Sequence, residues 1–409
     1  MQTRLTDSIR HTSEGRVAES ILRKCVHCGF CNATCPTYQL LGDENEGPRG
    51  RIYLIKQLME GQEVGKKTLQ HLDHCLLCRS CETTCPSGVE YGKLLDIGRH
   101  LAEEQIGRDS KDKALRKRLR KYLPNPNLFG LGLRLGRTFK PLLPEKLAGK
   151  ITAPRTAGHW PEARHDRQML ILDGCVQPSL SPDINAATAR VLDRLGISLL
   201  KAQGGGCCGA INQHLGDPDT AVTQIKRNID AWWPYLTTFG VEAIVTTASG
   251  CGVMVKDYKH FLRDDPEYFI KAERISYLCK DIAEIISKEK YQKLIPNKGA
   301  RIAWHPPCTL QHGQKVRGVV ENILVDCGFV LVPVTDEHLC CGSAGTYSIL
   351  EPELSQQLRH NKLTHLMAHT PEYIVTANIG CQTHLQETSP VPVKHWIHVL
   401  DTAPSTDKA

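Results

Sequence analysis

Nowhere does this 409-residue chain hold an apolar run near the ~20 residues that cross a bilayer. Its opening, Met1-Gln-Thr-Arg-Leu-Thr-Asp-Ser-Ile-Arg10, lacks the apolar core of a leader peptide. These absences predict a cytoplasmic protein, with at most peripheral contact at the cytoplasmic face of the inner membrane. Aromatic residues make up only 6% of the chain, too little for an aromatic cage or a base-stacking platform. We read no dinucleotide-binding fingerprint and no phosphate-binding Walker loop, so flavin or nicotinamide chemistry is assigned to another polypeptide. No nucleic-acid-binding motif accompanies the basic charge, and no nucleic-acid partner is expected. What remains is an ordinary globular composition, 41% hydrophobic and 23% charged, with length for two or three domains.

What the chain has in excess is cysteine, eighteen in all. In a reducing compartment, clustered cysteines bind metal or do redox work in preference to forming disulfides. Eight fall in two runs, Cys25, Cys28, Cys31, Cys35 before Pro36, and Cys75, Cys78, Cys81, Cys85 before Pro86. Each reads C-x2-C-x2-C-x3-C-P, the run that holds a cubane iron–sulfur cluster in bacterial ferredoxins, where the fourth cysteine serves the other cluster. By that rule Cys25, Cys28, Cys31 and Cys85 take one 4Fe-4S cluster, and Cys75, Cys78, Cys81 and Cys35 take the second. Paired C-x2-C units also bind zinc, which stands as the alternative occupant. Thirty-nine residues separate Cys35 from Cys75. They include the helically spaced Gly50-Arg-Ile-Tyr-Leu-Ile-Lys-Gln-Leu-Met-Glu60, so helices are expected to bridge the runs.

Beyond about Gln168 the pattern changes to strands alternating with helices, and it repeats. In the first copy, strand Gln168–Asp173 leads to Cys175, strand Ile197–Leu200 to Cys207-Cys208-Gly209, and strand Ala243–Thr246 to Cys251. In the second, Arg301–Trp304 leads to Cys308, Val330–Val332 to Cys340-Cys341-Gly342, and Tyr373–Thr376 to Cys381. The first cysteine precedes the pair by 32 residues in both copies, which an internal duplication explains. Strand ends of a parallel α/β sheet form its ligand crevice, so the four thiols of each copy are expected to converge on a further cluster or redox site. His305, His312 and His384 lie near these cysteines as candidate tuning or ligating groups. Cys279, in a helix read over Ile275–Ile285, and Cys327, at the end of helix Val319–Cys327, read as packing residues.

Charge is uneven. Residues 108–150 hold thirteen Lys and Arg against three Asp and Glu, leaving the rest slightly acidic. This stretch joins a basic helix, Lys113–Lys121, to the apolar-dotted Leu123–Phe129 and Leu131–Leu135. It reads as a solvated linker or as a contact for anionic lipid or an acidic partner. The expected fold class is α+β and multi-domain: an α-helical ferredoxin domain (1–107), a basic Pro-containing linker (108–165), and a duplicated α/β cysteine-rich domain (166–290 and 298–402). Lys24, His27, His74 and Arg79, near the two runs, are candidates for tuning cluster potentials.

A two-cluster ferredoxin domain joined to duplicated Cys-Cys-Gly repeats resembles the cysteine-rich (CCG) family shared by heterodisulfide reductases and several flavin-linked dehydrogenase subunits. Within it the chain looks most like the iron–sulfur subunits of bacterial glycolate oxidases (glycolate dehydrogenases). The resemblance rests on Cys25–Tyr38, Gly47–Ile55, Asn228-Ile-Asp-Ala-Trp-Trp-Pro234, Thr247–Gly252 and Cys340–Tyr347. It implies electron transfer from a flavoprotein partner, which carries FAD and oxidises glycolate to glyoxylate, toward a membrane acceptor such as quinone. The chain itself would hold no substrate-oxidising residue. Equivalent subunits for lactate or glycerol 3-phosphate, or a thiol redox subunit, are the alternatives. One departure stands out: the final C-x-x-C of heterodisulfide reductase is replaced here by Cys251-x-x-Met254 and Cys381-x-x-His384.

Overall fold

The computed structural model describes residues 1–142, 144, 151–294 and 299–401. Its N-terminal part is helical. Helices Ser13–Lys24, Pro48–Met59, Lys66–Asp73 and Tyr91–Ile106 bury Leu22, Ile55, Leu58, Met59, Leu72, Leu94 and Leu95 in one core. The Thr12 hydroxyl caps the first of these by accepting from Gly15 N at 2.9 Å, and Pro48 opens the second, where its missing N–H costs nothing. Helices Pro36–Leu41, Pro48–Met59 and Lys66–Asp73 do fill the connection between the cysteine runs.

Two four-stranded, all-parallel sheets follow. The first comprises β1 (Arg167–Ile171), β2 (Ile197–Lys201), β3 (Ile244–Thr246) and β4 (Cys279–Asp281), in the order β2-β1-β3-β4. The second comprises β5 (Arg301–His305), β6 (Val330–Leu331), β7 (Tyr373–Thr376) and β8 (Val393–His395), in the order β6-β5-β7-β8. The topologies are identical, and so are the offsets from the two central strands to the cysteines that follow them. β1 pairs Leu170 with Ile244 and β5 pairs Ala303 with Ile374, each followed five residues later by Cys175 or Cys308. The two sheets share one apolar core, in which Ile184, Val191 and Ile282 meet Ile323, Trp396 and Val399.

The continuous helix expected over Ile275–Ile285 is broken. Helix Phe269–Leu278 stops, Cys279–Asp281 forms β4 against β3, and a new helix runs Ile282–Ile286. A capping box imposes the break: Asp281 Oδ1 accepts from Ala283 N at 3.0 Å, and Glu284 accepts from Asp281 N at 2.8 Å. Strands β4 and β8 are additional to the expected three per repeat. Cys279 and Cys327 are buried among apolar neighbours, as packing residues would be.

The basic segment forms helices Ser110–Tyr122 and Pro126–Thr138. Arg108 and Arg116 turn inward and donate to Asp73 at 2.7 and 3.1 Å, anchoring the first helix on the ferredoxin part. The second buries no residue. Glu145, Lys146 and Lys150 of the basic stretch lie outside the described residues, as do residues 298 and 402 at the limits of the second repeat.

Burial pushes the fully enclosed Asp281 carboxyl up to about 7 from its ordinary 3.8. A carboxylate raised on folding opposes the fold increasingly as pH climbs from its unfolded to its folded value. Asp281→Asn keeps a capping acceptor and removes that penalty. The variant should therefore gain on the parent between about pH 5.5 and pH 7, by about 2 kcal/mol. Thermal unfolding of both proteins across that range checks it, and parallel curves would refute it.

Candidate functional site

Sulfur is concentrated in four places. The first is a cavity lined by Cys25, Cys28, Cys31 and Cys85, with Val26, His27, Arg49 and Ile52 around them. The second is lined by Cys35, Cys75, Cys78 and Cys81, with Thr37, Leu76 and Arg51. The second cavity takes three cysteines from its own run and Cys35 from the other; the first takes three from its own run, with Cys85 and the shared Cys81 from the other. Pro48, Cys81 and Tyr91 line both, so the two are adjacent. A cubane cluster requires four thiols; with Cys81 counted to the second cavity, each cavity offers that set.

The chain wraps both cavities in the same way. Left-handed backbone occurs at His27 and Gly29 in the first run and at Leu77 and Arg79, the equivalent positions, in the second. Three of these four are not glycine, and such conformations cost of order 1 kcal/mol each unless the surroundings impose them. At Gly29 a Cβ would lie 2.6 Å from the Arg49 guanidinium, so a side chain there would also displace that flexible arginine end. Burial raises the thiols, Cys31 to about 11 and Cys78 and Cys81 upward, so they ionise readily only against a positive centre.

A buried ion pair braces the second cavity. The Arg51 guanidinium, fully buried, meets Glu46 at 2.8 Å and donates to the His71 carbonyl at 2.6 Å and to Thr37 Oγ1 at 3.1 Å. Thr37 Oγ1 lies 3.3 Å from Cys35 Sγ. Glu46 also contacts Nδ1 of His71 at 2.6 Å and of His74 at 2.9 Å. His74 therefore acts here as a partner of Glu46. Arg79 pairs with Asp257 of the first repeat at 2.7 Å, and Lys24 with Glu90 at 3.2 Å. His27 sits edge-on to Tyr53.

The third and fourth places are the crevices at the carboxyl ends of the two sheets. In the first repeat Cys175, Cys207, Cys208 and Cys251 are mutual neighbours, and hydrogen bonds from the Cys175 and Cys208 thiols draw Cys207 down to about 4. In the second, Cys308 and Cys340 sulfurs lie 3.8 Å apart, and Cys341 contacts both Cys340 and Cys381. The glycine of each Cys-Cys-Gly is left-handed, at φ 99° for Gly209 and 88° for Gly342. Each also packs against the carbonyl of a following helix, Ala221 or Ser355, where a Cβ would stand 3.2 or 2.5 Å away.

Gly204-Gly-Gly-Cys-Cys-Gly209 carries the glycine spacing of a dinucleotide turn, which corrects the expectation that the chain lacks it. The turn is spent on its thiols: Gly206 N donates to Asn228 Oδ1 at 2.9 Å, and the helix that follows, Ala210–His214, has five residues.

The second repeat abuts the ferredoxin part. Cys308 and Cys340 join Cys78, Leu76, Tyr347 and Leu358 in one apolar cluster. Of the candidate histidines, His312 is a structural tie, with Thr83 at 2.9 Å on Nδ1 and the His338 carbonyl at 3.0 Å on Nε2. His384 meets Ser355 Oγ at 3.3 Å, whereas His305 lies beside Cys341 and Cys381. Sequence reasoning missed Arg51 and Glu46 as a pair, although Arg51 lies within the Gly47–Ile55 segment and Glu46 directly precedes it.

Residues 21–89 match the 4Fe-4S dicluster domain, and residues 169–256 and 302–386 each match the cysteine-rich domain. The glycolate oxidase iron-sulfur subunit of Escherichia coli (strain K12) is 52% identical over 404 residues, covering 98% of this chain and 99% of that protein. A probable glycolate oxidase iron-sulfur subunit of Bacillus subtilis (strain 168) is 29% identical, covering 91% and 90%. Lactate utilization protein A of Geobacillus kaustophilus is 24% identical over 56% of this chain and 95% of its own length. With four-thiol cavities, duplicated crevices and near-complete coverage agreeing, the chain belongs to the family of glycolate oxidase iron–sulfur subunits.

Proposed function

We propose that the chain is the iron–sulfur electron-transfer subunit of a glycolate dehydrogenase complex. It receives electrons from a flavoprotein subunit that oxidises glycolate to glyoxylate and passes them toward a membrane acceptor such as quinone. The observation that carries this reading is the crossed supply of thiols to two adjoining cavities, in a chain 52% identical to a glycolate oxidase iron-sulfur subunit over almost its whole length. Cys25, Cys28, Cys31 and Cys85 would hold one 4Fe-4S cluster and Cys35, Cys75, Cys78 and Cys81 the other. Such clusters supply one-electron carriage at potentials set by burial, charge and hydrogen bonds to sulfur.

The protein's own contribution is surroundings. Leu77 N points at Cys75 Sγ at 3.4 Å, and Arg51 places a desolvated positive charge beside Cys35 and Cys75. Cys28, Val26 and Phe30 are exposed, which gives the first cavity a rim open to a partner. The eight cysteines of the repeats form two further thiol sites. Membrane contact is supported by helix Pro126–Thr138 and the residues after it, where exposed Leu131, Leu135 and Phe139 accompany Arg134, Arg137 and Lys140. Among the described residues no helix is long and apolar enough to cross a membrane.

Two outcomes are expected. Anaerobically purified protein, mixed with its flavoprotein partner, should show cluster bleaching on addition of glycolate; bleaching by lactate alone would sink the glycolate assignment. Crossed ligation is tested separately. Cys85→Ser should damage the cluster of the first run, and Cys35→Ser that of the second, each leaving one paramagnetic signal of the reduced protein unchanged. If Cys85→Ser altered the same signal as Cys78→Ser, the crossing would be wrong.

A further inference from the structure

His305 closes β5 opposite Thr376, and it is only 1% exposed. Neither ring nitrogen has a hydrogen-bonding partner among the described residues. Burying such a group unpaired is costly, because its desolvation is not repaid. One ring nitrogen, the Cys341 sulfur and the Cys381 sulfur all lie within 4.8 Å of one another. Cys308 and Cys340 adjoin them, their sulfurs 3.8 Å apart.

The first repeat provides an internal comparison. Two residues beyond the equivalent pairs Leu170–Ile244 and Ala303–Ile374 stand Leu172 and His305. Leu172 is buried in an apolar cluster with Cys208 and Met254. The position is therefore satisfied by a hydrocarbon, and packing does not call for an imidazole. His384, the other histidine of this crevice, already has Ser355 Oγ at 3.3 Å.

We propose that the second repeat holds an iron–sulfur cluster of mixed ligation, with His305 as a nitrogen ligand beside Cys308, Cys340, Cys341 and Cys381. The inference rests on reading the chain as an iron–sulfur protein and assigns the second crevice a chemistry the first cannot share. Five donors from three strand ends exceed the four that a tetrahedral zinc ion takes, which favours a polynuclear centre. Thiolate with imidazole is a set that suits iron–sulfur chemistry, and exchanging sulfur for nitrogen raises the potential. Cys308 and Cys340 share one apolar cluster with Cys78, which places this centre beside the second ferredoxin cavity.

The test uses the full chain, purified anaerobically with its histidines labelled with nitrogen-15, as wild type, His305→Leu, His305→Cys and His384→Gln. Iron should exceed the roughly eight per chain of two cubanes. Pulsed electron paramagnetic resonance of the oxidised and reduced states should show one strongly coupled histidine nitrogen. That coupling should persist in His384→Gln and vanish in both His305 variants. His305→Cys should keep the extra iron and titrate at a lower potential, which separates lost ligation from lost folding. Extra iron without coupled nitrogen, one zinc with no extra iron, no metal beyond the two cubanes, or coupling that survives His305→Cys would each overturn the proposal. Absence of the ferredoxin-type signals would instead overturn the function proposed above, and this inference with it.

Discussion

Because each ferredoxin cavity draws its fourth sulfur from the other run, the distance between the runs is the constraint on which the rest of the protein depends. A shift of one run against the other would spoil both cavities at once. The connection is held by charge buried on purpose: Arg51 and Glu46 are almost wholly shielded from water, and every polar contact made by the guanidinium is to the bridging segment. Arg99 does the same from helix Tyr91–Ile106, donating to the carbonyls of Leu72, Asp73 and Cys75. Taking one partner from a buried pair costs about 3–5 kcal/mol, because the other is left uncompensated. The pair is costly to desolvate, and what it secures is registry between two sets of ligands.

A second constraint is the near two-fold relation of the repeats. Helix Asp183–Arg194 packs on Trp396–Leu400, and the equivalent pair, Val319–Asp326 on Ile282–Ile286, packs reciprocally. Each repeat buries the other's apolar faces, so one core serves both sheets. Reinforcement is unequal: Arg190 pairs with Asp401 at 2.6 Å, and His395 Nε2 meets the Thr247 carbonyl at 2.9 Å. The duplication set two crevices, and sequence divergence then separated them. Leu172 and Met254 line one where His305 and His384 line the other, and only the second adjoins Cys78.

Much of this was legible in the chain. Ligand spacing in the two cysteine runs is local, and the 32-residue spacing from first cysteine to pair recurs in both copies, so the cavities and the crevices follow from counting. Strands β1, β3, β5 and β7 were legible because each carries a short apolar run (Met169-Leu-Ile, Ile244-Val, Ile302-Ala-Trp, Tyr373-Ile-Val) a few residues before a cysteine. β4 was not, because Cys279-Lys-Asp281 carries no apolar pattern and exists through pairing with β3 and the Asp281 cap. β8, Val393-Lys-His395, was hidden for the same reason. The Arg51–Glu46 pair is five residues apart and looks like ordinary surface charge until the helices close over it. Among three candidate histidines, sequence had no means of choosing, since the choice turns on which ring lacks a partner.

The arrangement also orders the sites physically. The repeat-side cavity has Cys78 enclosed by Leu76, Tyr347 and Leu358, out of water, while the outer cavity presents Cys28 to solvent beside Val26 and Phe30. A desolvated site favours the less charged state of whatever it holds, and a solvated one tolerates more charge. The buried positive charge of Arg51 lies by the enclosed cavity, where the electrostatic cost of added electrons is greatest. The outer cavity has the exposed Arg49–Glu44 pair, which water largely screens. Two cavities with matching all-sulfur linings are thus made unequal by their neighbours, and a direction for electron movement needs that inequality more than it needs any difference between the ligand sets.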